Sequence, residues 1–306
     1  MEAAVRDGYG TGLIKIGTDK NVVVLDGDLS DSTRSEKFQE KYPERFFNMG
    51  ISEADMVCTA AGLASCGKIA FASSFAGFLV GRAYDQILVS VAYPNLNVKL
   101  VGSHAGIATG EDGPTAQSII DIAAMRALPN MIVIAPADSV ECEKAVEEIY
   151  RHKGPAYLRM TRPKTPVIFN SDYDFKIGKA VIMNEGRDVT IVSTGIMLSH
   201  VLESAKILKN DKMNAEIIHM PTIKPLDKDA ILRSVEKTGL VVTCEDHNVM
   251  GGLGSAVSEA LSESLPTKLL RIGLTGFAES GTYNELYKKY ELDSESIAKK
   301  IKTALK

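Results

Sequence analysis

The chain has 306 residues, of which 45% are hydrophobic, and a formal net charge of -4 at pH 7. Its lysines and arginines are scattered among acidic residues, so the charge pattern argues against nucleic acid as the main partner and leaves small anionic ligands open. No uncharged apolar run is long enough to span a membrane, and the first residues lack the charged-then-apolar order of a signal peptide. We therefore expect a soluble, cytoplasmic protein with neither a membrane nor a nucleic acid as partner.

The four cysteines form no CxxC pair and stand in apolar or helical surroundings. They are Cys58, Cys66, Cys142 and Cys244. This pattern is typical of small core residues in a reduced protein, and it argues against both a disulfide framework and a metal site.

Short apolar or β-branched runs alternate with longer helical patterns along the first half of the chain. The predicted strands are 22–25, 46–51, 69–73, 98–101, 131–135 and 156–159, and the predicted helices are 6–17, 53–65, 77–93, 118–126 and 139–150. Such alternation predicts a parallel sheet with helices on both faces.

Prolines interrupt this alternation at Pro163 and Pro166, and the pattern restarts further on. The later predicted strands are 189–193, 216–219, 241–244 and 269–272, and the later predicted helices are 198–209, 227–237, 253–264 and 294–305. We predict an α/β fold with two doubly wound, mostly parallel sheets. The first domain would cover 1–165, a linker 166–186 and the second domain 187–306.

The start of the helix 53–65 carries an acid, Glu53, in front of an almost wholly apolar stretch. Ser52 is predicted to cap this helix, with Asp55 completing a capping box in place of the usual glutamate. Glu53 then has one of two roles. It either stabilises the helix by placing a negative charge near the positive end of the helix dipole, or it is a carboxylate that takes part in the chemistry of a site. On physical grounds alone the first interpretation is favoured, because acids are common in first helical turns.

A long glycine-rich loop follows the strand 98–101 and extends to Pro114. Loops of this length inside a compact domain are usually functional. His104 stands at the end of the strand, and Asp112 stands between two glycines. The residues alone leave His104 equally open to a functional and to a surface role.

Arginines and aromatic residues stand at two other strand ends. Arg159 is the last residue of the predicted strand 156–159, and Arg162 stands three positions after it. A guanidinium at a strand end suits bidentate binding of phosphate. Phe75 and Phe78 flank a strand-to-helix turn, where aromatic side chains are more often core than a ligand shelf.

Two motifs in the second half of the chain look like ligand sites but are predicted not to bind a nucleotide or a metal. Residues 251–254 are glycine-rich and precede a helix, but they lack the GxGxxG spacing, so we predict tight packing at a helix entry rather than nucleotide binding. Residues 244–247 end a strand and are expected at an exposed crevice or subunit contact, with too few ligands for a metal site.

Several motifs, in order along the chain, together resemble the transketolase family. They are Ile51-Ser52-Glu53, Ser74-Phe75-Ala76-Gly77-Phe78, Arg82-Ala83-Tyr84-Asp85-Gln86, Gly102-Ser103-His104, Gly110-Glu111-Asp112-Gly113-Pro114-Thr115, Arg159-Met160-Thr161-Arg162-Pro163, Thr222-Ile223-Lys224-Pro225-Leu226-Asp227 and Glu245-Asp246-His247 with Gly251-Gly252. The resemblance implies a thiamine-diphosphate-binding pyrimidine domain followed by the family's C-terminal domain. The domain of the family that holds the diphosphate through a metal has no counterpart here.

The resemblance assigns a cofactor role to residues near Glu53. It implies that Glu53 hydrogen-bonds the aminopyrimidine ring of thiamine diphosphate and drives the tautomer that serves as an internal base. Phe75 and Phe78 would hold the ring, and Asp28 would lie near the cofactor at the subunit contact.

The resemblance also implies that sugar phosphates are the substrates. His104 is expected in catalysis and, with Asp112, in contact with the sugar. Arg6, Ser32 and Arg162 are expected to bind the substrate phosphate.

Some residues depart from the family pattern. Ser52 stands where some members carry arginine, and Ala54 where some carry histidine. Ala116 replaces a histidine or glutamine that contacts substrate in the family, which would open the pocket. The turn between Phe78 and Arg82 is one residue longer than in animal-type members.

The resemblance implies the C-terminal subunit of a split transketolase, inactive alone, which moves a two-carbon ketol unit from a ketose phosphate to an aldose phosphate. A separate N-terminal subunit would hold the diphosphate and its Mg²⁺ or Ca²⁺, in a heterotetramer with two copies of each chain. The alternatives in the same cofactor class are 1-deoxyxylulose-5-phosphate synthase and the beta subunit of a 2-oxo-acid dehydrogenase. A non-catalytic scaffold subunit is the remaining alternative.

Overall fold

The computed structural model of the chain describes residues 1–305. Within these residues the strands are β1 (Glu2–Ala4), β2 (Val22–Asp26), β3 (Phe46–Asn48), β4 (Ile69–Phe75), β5 (Val98–Ser103), β6 (Ile132–Ile134), β7 (Ala156–Arg159), β8 (Lys164–Pro166), β9 (Val181–Asn184), β10 (Val189–Ser193), β11 (Ala215–His219), β12 (Thr222–Lys224), β13 (Leu240–Asn248) and β14 (Lys268–Leu274). The α-helices are α1 (Val5–Ile16), α2 (Ser30–Thr33), α3 (Glu36–Lys41), α4 (Glu53–Ser65), α5 (Ala76–Arg82), α6 (Tyr84–Gln86), α7 (Asp121–Ala127), α8 (Ser139–Arg151), α9 (Met197–Asn210), α10 (Lys228–Thr238), α11 (Leu253–Ser264), α12 (Tyr283–Lys289) and α13 (Ser294–Ala304). Short 3-10 helices cover Pro43–Arg45 and Ile107–Asp112, and a π-helical segment covers Ile87–Ala92.

The first sheet has seven strands in the order β12-β6-β7-β5-β4-β2-β3. All neighbours are parallel except β12, which runs antiparallel to β6. Strand β2 is buried along its whole length and is almost entirely aliphatic, as expected for a parallel sheet covered on both faces. Its residues alternate between the two covering layers, because successive side chains of a strand point to opposite faces.

One layer on this sheet is formed by α1 and α8, and the other by α4 and its neighbours. Val22 and Val24 of β2 pack in the layer with Leu13 of α1. Val23 and Leu25 of the same strand pack in the layer that contains α4. Helix α4 therefore lies against the sheet, with its first residue at the carboxyl end of the strands.

The second sheet has five strands in the order β14-β13-β10-β11-β9, parallel except for β9, which is antiparallel to β11. Helices α9 and α13 cover one face, where Val201 and Ile301 meet Ile191 of β10. On the other face, Val192 belongs to the same hydrophobic cluster as Leu25 of the first sheet. The interior is thus continuous between the two halves.

The predicted fold class is confirmed, because both sheets are mostly parallel and are covered by helices on both faces. Strand β12 was not expected in the first sheet; it follows β11 of the second sheet and crosses back to pair with β6. The helix predicted over 77–93 is instead α5, α6 and the π-helical segment. Strand β9 lies within the stretch 166–186 that was predicted as a linker.

Two local predictions are wrong. Ser52 makes no side-chain hydrogen bond to the start of α4, so the predicted capping box is absent. Cys58 and Cys66 are exposed, whereas Cys142 and Cys244 are core residues as predicted. None of the helices formed by residues 1–305 combines the length and apolar character that crossing a membrane requires.

Candidate functional site

The candidate site lies at the edge of the first sheet where the parallel strands β2, β4, β5 and β7 have their carboxyl ends. Ligands of open α/β sheets bind at this edge, because the connecting loops there are free to diverge around a crevice. The connections that follow these strand ends carry the predicted residues Asp28, Ser32, His104, Asp112 and Arg162. Phe75 is the last residue of β4, and Arg6, Glu53 and Phe78 lie near the starts of α1, α4 and α5.

A buried carboxylate organises the loop after β2. One oxygen of Asp26 accepts a hydrogen bond from the backbone N–H of Leu29 at 2.6 Å, and the other accepts from the hydroxyls of Thr33 and Ser35 at 2.7 and 2.8 Å. Burial raises the pKa of Asp26. The adjacent Asp28 is exposed, has a φ of 65° and accepts a hydrogen bond from the Asn48 amide at 2.8 Å.

Glu53 is the first residue of α4, and its side chain is only 3% exposed. Its Oε1 accepts a hydrogen bond from the Ser74 hydroxyl at 3.3 Å. Arg82 Nη1 donates to both carboxylate oxygens, at 3.0 and 3.1 Å. The carboxylate is therefore held between the amino end of a helix and a guanidinium.

Three aromatic rings form a stack beside this carboxylate. Phe75 is the middle ring of the stack. Its centroid lies 5.4 Å from that of Phe78, with 25° between the ring planes, and 3.9 Å from that of His104, with 20° between the planes. The Arg82 guanidinium carbon lies 4.1 Å from the centroid of Phe78. Phe75 is buried, whereas Phe78 keeps part of its surface open.

His104 is held in a left-handed backbone conformation, with a φ of 56°. Its carbonyl accepts a hydrogen bond from the Thr109 hydroxyl at 2.7 Å, and its Nδ1 lies 2.9 Å from the Ser103 hydroxyl. Burial lowers the pKa of His104 to about 3, and the nearby cations Arg6 and Arg162 lower it further. The ring is therefore neutral near pH 7 and has one N–H donor and one acceptor nitrogen.

Arginines surround His104 on the side of the β2 loop. Arg6 Nη1 donates to the carbonyl of Ser32 at 2.7 Å, and its buried Nε has no hydrogen-bond partner among residues 1–305. Burial and the neighbouring Arg34 lower the pKa of Arg6. A guanidinium nevertheless keeps its proton in proteins and remains a cation. Ser32 contacts Arg6 through its backbone, not its hydroxyl.

Arg34 completes this group and was missed in the sequence. It has a φ of 71°, donates from Nε to Asp7 at 2.9 Å and from Nη1 to the carbonyl of Asp31 at 2.7 Å. The sequence feature that could have identified Arg34 is its position as a basic residue in the polar segment after β2, which also contains Ser32. Nearby guanidinium groups suit an anionic ligand with several acceptor oxygens.

Arg162 lies across the edge on the loop after β7. Its Nη1 donates to the Thr109 carbonyl at 2.9 Å and to Glu111 at 3.1 Å, and lies 3.6 Å from Asp112. Arg162 and Asp112 are both about two-fifths exposed, so both remain accessible to a ligand. Ala116 is buried, and its effect on the pocket stays a prediction.

Arg159 was predicted to suit phosphate binding, and this prediction is wrong. Its side chain is 4% exposed; Nε donates to Asp121 at 2.8 Å, and Nη2 donates to the carbonyl of Asp246 at 2.8 Å. Tyr157 donates to the same Asp121 oxygen at 2.7 Å. Arg159 is thus a buried structural residue where the two halves meet.

Residues 244–247 are buried, so the expectation that they are exposed is wrong as well. Asp246 accepts hydrogen bonds from the backbone N–H groups of Ile107 and Ala108, at 2.9 and 3.2 Å, and so fixes the loop after β5. Glu245 accepts from the N–H groups of Leu253 and Gly254 at 2.7 and 2.8 Å. Burial raises the pKa of Glu245 to about 7.

The packing interpretation of the glycine-rich stretch 251–254 is confirmed. A Cβ at Gly252 would lie 1.9 Å from a Glu245 oxygen, and one at Gly254 would lie within 3 Å of Arg271. Gly252 therefore leaves room for the Glu245 carboxylate, which accepts hydrogen bonds from the N–H groups at the start of α11, and Gly254 leaves room for Arg271. Among residues 1–305 no three His, Cys, Asp or Glu side chains are grouped to hold a metal ion.

The fold and this edge define an α/β protein with a buried carboxylate, an aromatic stack and a group of arginines at the carboxyl ends of its parallel strands. Residues 1–167 match the family model of the transketolase pyrimidine binding domain, and residues 178–297 match that of the transketolase C-terminal domain. The chain belongs to the transketolase family.

The chain is similar to relatives of two lengths. It is 49% identical to a protein of Methanocaldococcus jannaschii named as a transketolase C-terminal section, across 99% of this chain and 96% of that one. It is 42% identical to the 6-deoxy-6-sulfo-D-fructose transketolase subunit SqwH of Clostridium sp., across 92% and 88%. Human transketolase is 37% identical across 98% of this chain, which spans only 48% of the human protein.

A solved structure shares the whole architecture. It is described as a split gene transketolase in the form of an inactive beta4 tetramer, and it is 42% identical to this chain. The two structures superpose with a TM-score of 0.92 over 99% of this chain and 98% of the other.

The pyrimidine-binding match implies thiamine diphosphate, and the residues present fit its ring portion. An aminopyrimidine offers N–H groups in its plane and an aromatic face. Glu53 provides a buried acceptor for the former, and Phe78 provides a partly open face for the latter. The roles of the individual residues remain predictions.

Proposed function

We propose that this chain is the C-terminal subunit of a split transketolase that transfers a two-carbon ketol unit from a ketose phosphate to an aldose phosphate. The observation that carries the proposal is the buried Glu53 carboxylate beside the Phe75–Phe78 stack, at the same sheet edge as the arginines around His104. Support for a divided enzyme comes from the similar-length relatives, one named as a transketolase C-terminal section and one described as a split gene transketolase.

Glu53 and the aromatic pair would hold the cofactor. Thiamine diphosphate supplies, when bound, the carbon nucleophile that carries the two-carbon unit. Glu53 would share a proton with the ring nitrogen, and its burial would strengthen that hydrogen bond by excluding water. Phe75 and Phe78 would fix the plane of the ring, and Asp28 would lie at the contact with the partner.

His104, Asp112 and the arginines would hold the sugar phosphate. The neutral His104 ring offers a donor or an acceptor to a sugar hydroxyl or carbonyl, and we propose a catalytic role for it there. Arg6 and Arg162 would bind the phosphate, with the Ser32 loop positioning Arg6. Binding energy from the remote phosphate would then orient the reacting carbonyl.

A separate N-terminal subunit would cover this edge and hold the diphosphate with Mg²⁺ or Ca²⁺. Support comes from apolar side chains that remain exposed around the site: Phe47 is 41% exposed, Ile51 76%, Ile120 56% and Phe277 79%. Such a grouping is typical of a protein–protein interface. We propose a heterotetramer with two copies of each chain.

A specialised substrate is a second candidate. The Clostridium relative is named for a sugar that carries a sulfonate, and an arginine-lined site accepts either anion. 1-Deoxyxylulose-5-phosphate synthase and a 2-oxo-acid dehydrogenase beta subunit share the cofactor class, but the arginine group favours a phosphorylated or sulfonated sugar over pyruvate alone.

The test is reconstitution. The chain is co-purified with the N-terminal transketolase chain encoded in the same genome, and transfer from xylulose 5-phosphate to ribose 5-phosphate is assayed with thiamine diphosphate and Mg²⁺. Parallel assays use 6-deoxy-6-sulfofructose as donor, and pyruvate with glyceraldehyde 3-phosphate or with a lipoyl acceptor.

Transfer by the mixture, and by neither chain alone, would support the split enzyme, and the better donor would identify the substrate class. A stable complex that acts only on pyruvate would contradict ketol transfer in favour of the related activities. Failure to form a complex or bind thiamine diphosphate would contradict the proposal and favour a scaffold role.

A further inference from the structure

One guanidinium contacts both parts of the proposed ring site. Arg82, the last residue of α5, donates from Nη1 to both oxygens of Glu53 at 3.0 and 3.1 Å. Its Cζ also lies 4.1 Å from the Phe78 ring centroid. The carboxylate and the aromatic face are thus both contacted by the same side chain.

A guanidinium and an aminopyrimidine present similar binding surfaces. Both are planar, carry N–H donors in the plane, and stack on aromatic rings through their faces. A site built from a carboxylate and an adjacent phenyl ring therefore recognises either group. We propose that Arg82 occupies the aminopyrimidine position whenever thiamine diphosphate is absent, and that thiamine diphosphate must displace it in order to bind.

The energetics explain why the position is filled. Glu53 is only 3% exposed, and a buried carboxylate without a cation or sufficient hydrogen bonds is costly. Ser74 supplies one long hydrogen bond, at 3.3 Å, which leaves most of the compensation to Arg82. Arg82 keeps the carboxylate hydrogen-bonded and oriented until the cofactor replaces it.

Arg82 also has room to leave. Its side chain is 48% exposed, so it reaches solvent directly. Displacement thus requires a rotation of a half-exposed side chain rather than repacking of the core.

The inference rests on the proposed function, because it takes the cofactor from there, and it makes a separate prediction about affinity. An internal group that occupies a binding site lowers the apparent affinity of the ligand by the fraction of time that it is bound. A partly exposed ion pair stabilises its arrangement by about as much as a fivefold change in an equilibrium constant. Removing Arg82 should therefore tighten cofactor binding about fivefold.

The experiment is a calorimetric titration of the assembled two-subunit complex with thiamine diphosphate at fixed Mg²⁺. Arg82→Met is compared with wild type and with Arg233→Met, a matched control on the exposed face of α10. We expect a Kd about fivefold lower for Arg82→Met and an unchanged Kd for the control. Arg82→Lys, which keeps the charge and loses the planar fork, should lie between them.

A second background makes the test specific to the Glu53 contact. In a Glu53→Gln complex the gain from Arg82→Met should shrink, because the ion pair is already lost. An equal or weaker affinity of Arg82→Met in the wild-type background would overturn the inference while leaving the proposed function intact. If the Arg82→Met complex does not assemble, Arg82→Lys is tested instead. A Kd for thiamine diphosphate equal to or higher than that of wild type would then overturn the inference. Absence of binding by wild type would overturn the proposed function, and this inference with it.

Discussion

Glu53 is the residue on which the proposed chemistry depends most directly. Its carboxylate lies at the amino end of α4 with Ser74 and Arg82 as its contacts, and its side chain is buried. A buried acid of this kind is a common feature of functional sites, because burial and specific partners together tune proton sharing.

We predict that Glu53→Gln lowers ketol transfer by the reconstituted complex at least about 100-fold, because an amide cannot share a proton as a carboxylate does. The side chains have the same shape, so complex formation should be preserved. Steady-state kinetics and size-exclusion chromatography measure the two properties. Undiminished transfer by a fully assembled variant would contradict a role for Glu53 in proton sharing.

Arg162 tests the proposed phosphate site. Arg162→Met should raise KM for ribose 5-phosphate about 30-fold, which corresponds to roughly 2 kcal/mol for a lost hydrogen bond to a charged group. Activity with an unphosphorylated aldose acceptor such as glycolaldehyde should change little. The comparison is made at equal cofactor saturation, with Arg233→Met as control. Equal losses for both acceptors would mean that Arg162 acts through the loop rather than through phosphate.

Among the secondary-structure elements, β5 carries an unusual side chain. Lys99 is fully buried in this central strand, and its ammonium donates to the carbonyls of His152 and Gly154 at 2.9 and 2.6 Å. Burial lowers the pKa of Lys99 to about 7. The lysine thus ties β5 to the loop between α8 and β7, while its charged form is disfavoured.

The lowered pKa of Lys99 gives a pH dependence of stability. The unfolded chain keeps this lysine protonated up to about pH 10, whereas the folded chain releases the proton near pH 7. The folded state therefore binds fewer protons between these values, and the free energy of unfolding rises with pH in that window. Below pH 7 both states are protonated and the penalty of charge burial is fully present.

We predict that the stability of Lys99→Met relative to wild type falls by roughly 2 kcal/mol between pH 7 and pH 9. The comparison removes contributions from groups that titrate equally in both proteins. Urea unfolding at several pH values measures it. A difference between the two proteins that stays constant with pH would mean that Lys99 has an ordinary pKa in the fold.

The elements also show what the sequence does and does not predict. Helix α4 was predicted with its bounds as observed, although the capping box that was expected to begin it is absent. Arg159 and Arg162 looked alike in the sequence, yet one is buried against Asp121 and the other is accessible. Periodicity reports which residues share a face, but not which strand end will be covered by a distant part of the chain.

The same limit applies to the candidate site. The family resemblance brought Glu53, Phe75, Phe78 and His104 to one place, and these residues do lie together. Neither Arg34 nor the contact between Arg82 and Glu53 was found, because both depend on side-chain directions that no local pattern encodes.

At the scale of the whole molecule, the second half holds the site loop of the first half. Asp246 of β13 accepts the N–H groups of Ile107 and Ala108, which begin the 3-10 helix after His104. Gly106 permits this approach, since a Cβ there would lie 2.0 Å from an Asp246 oxygen and its φ is 76°. The position of His104 therefore depends on both halves.

We predict that Asp246→Ala destabilises the chain by about 3 kcal/mol, because two buried N–H groups lose a charged acceptor. Hydrogen exchange of the backbone over Ile107–Asp112 should accelerate, and ketol transfer should fall. Asp229→Ala, at an exposed site on α10, serves as control. Unchanged exchange in the Ile107–Asp112 segment would show that the loop is held by other contacts.

Strand β12 has a consequence for how the molecule behaves among copies of itself. Without it, β6 would end the first sheet with a row of unpaired backbone N–H and C=O groups on its outer side. Open strand edges of this kind recruit strands from other molecules and lead to aggregation. The second half of the chain therefore seals this edge of the first sheet, and we expect a fragment that ends before β12 to associate with other copies through β6.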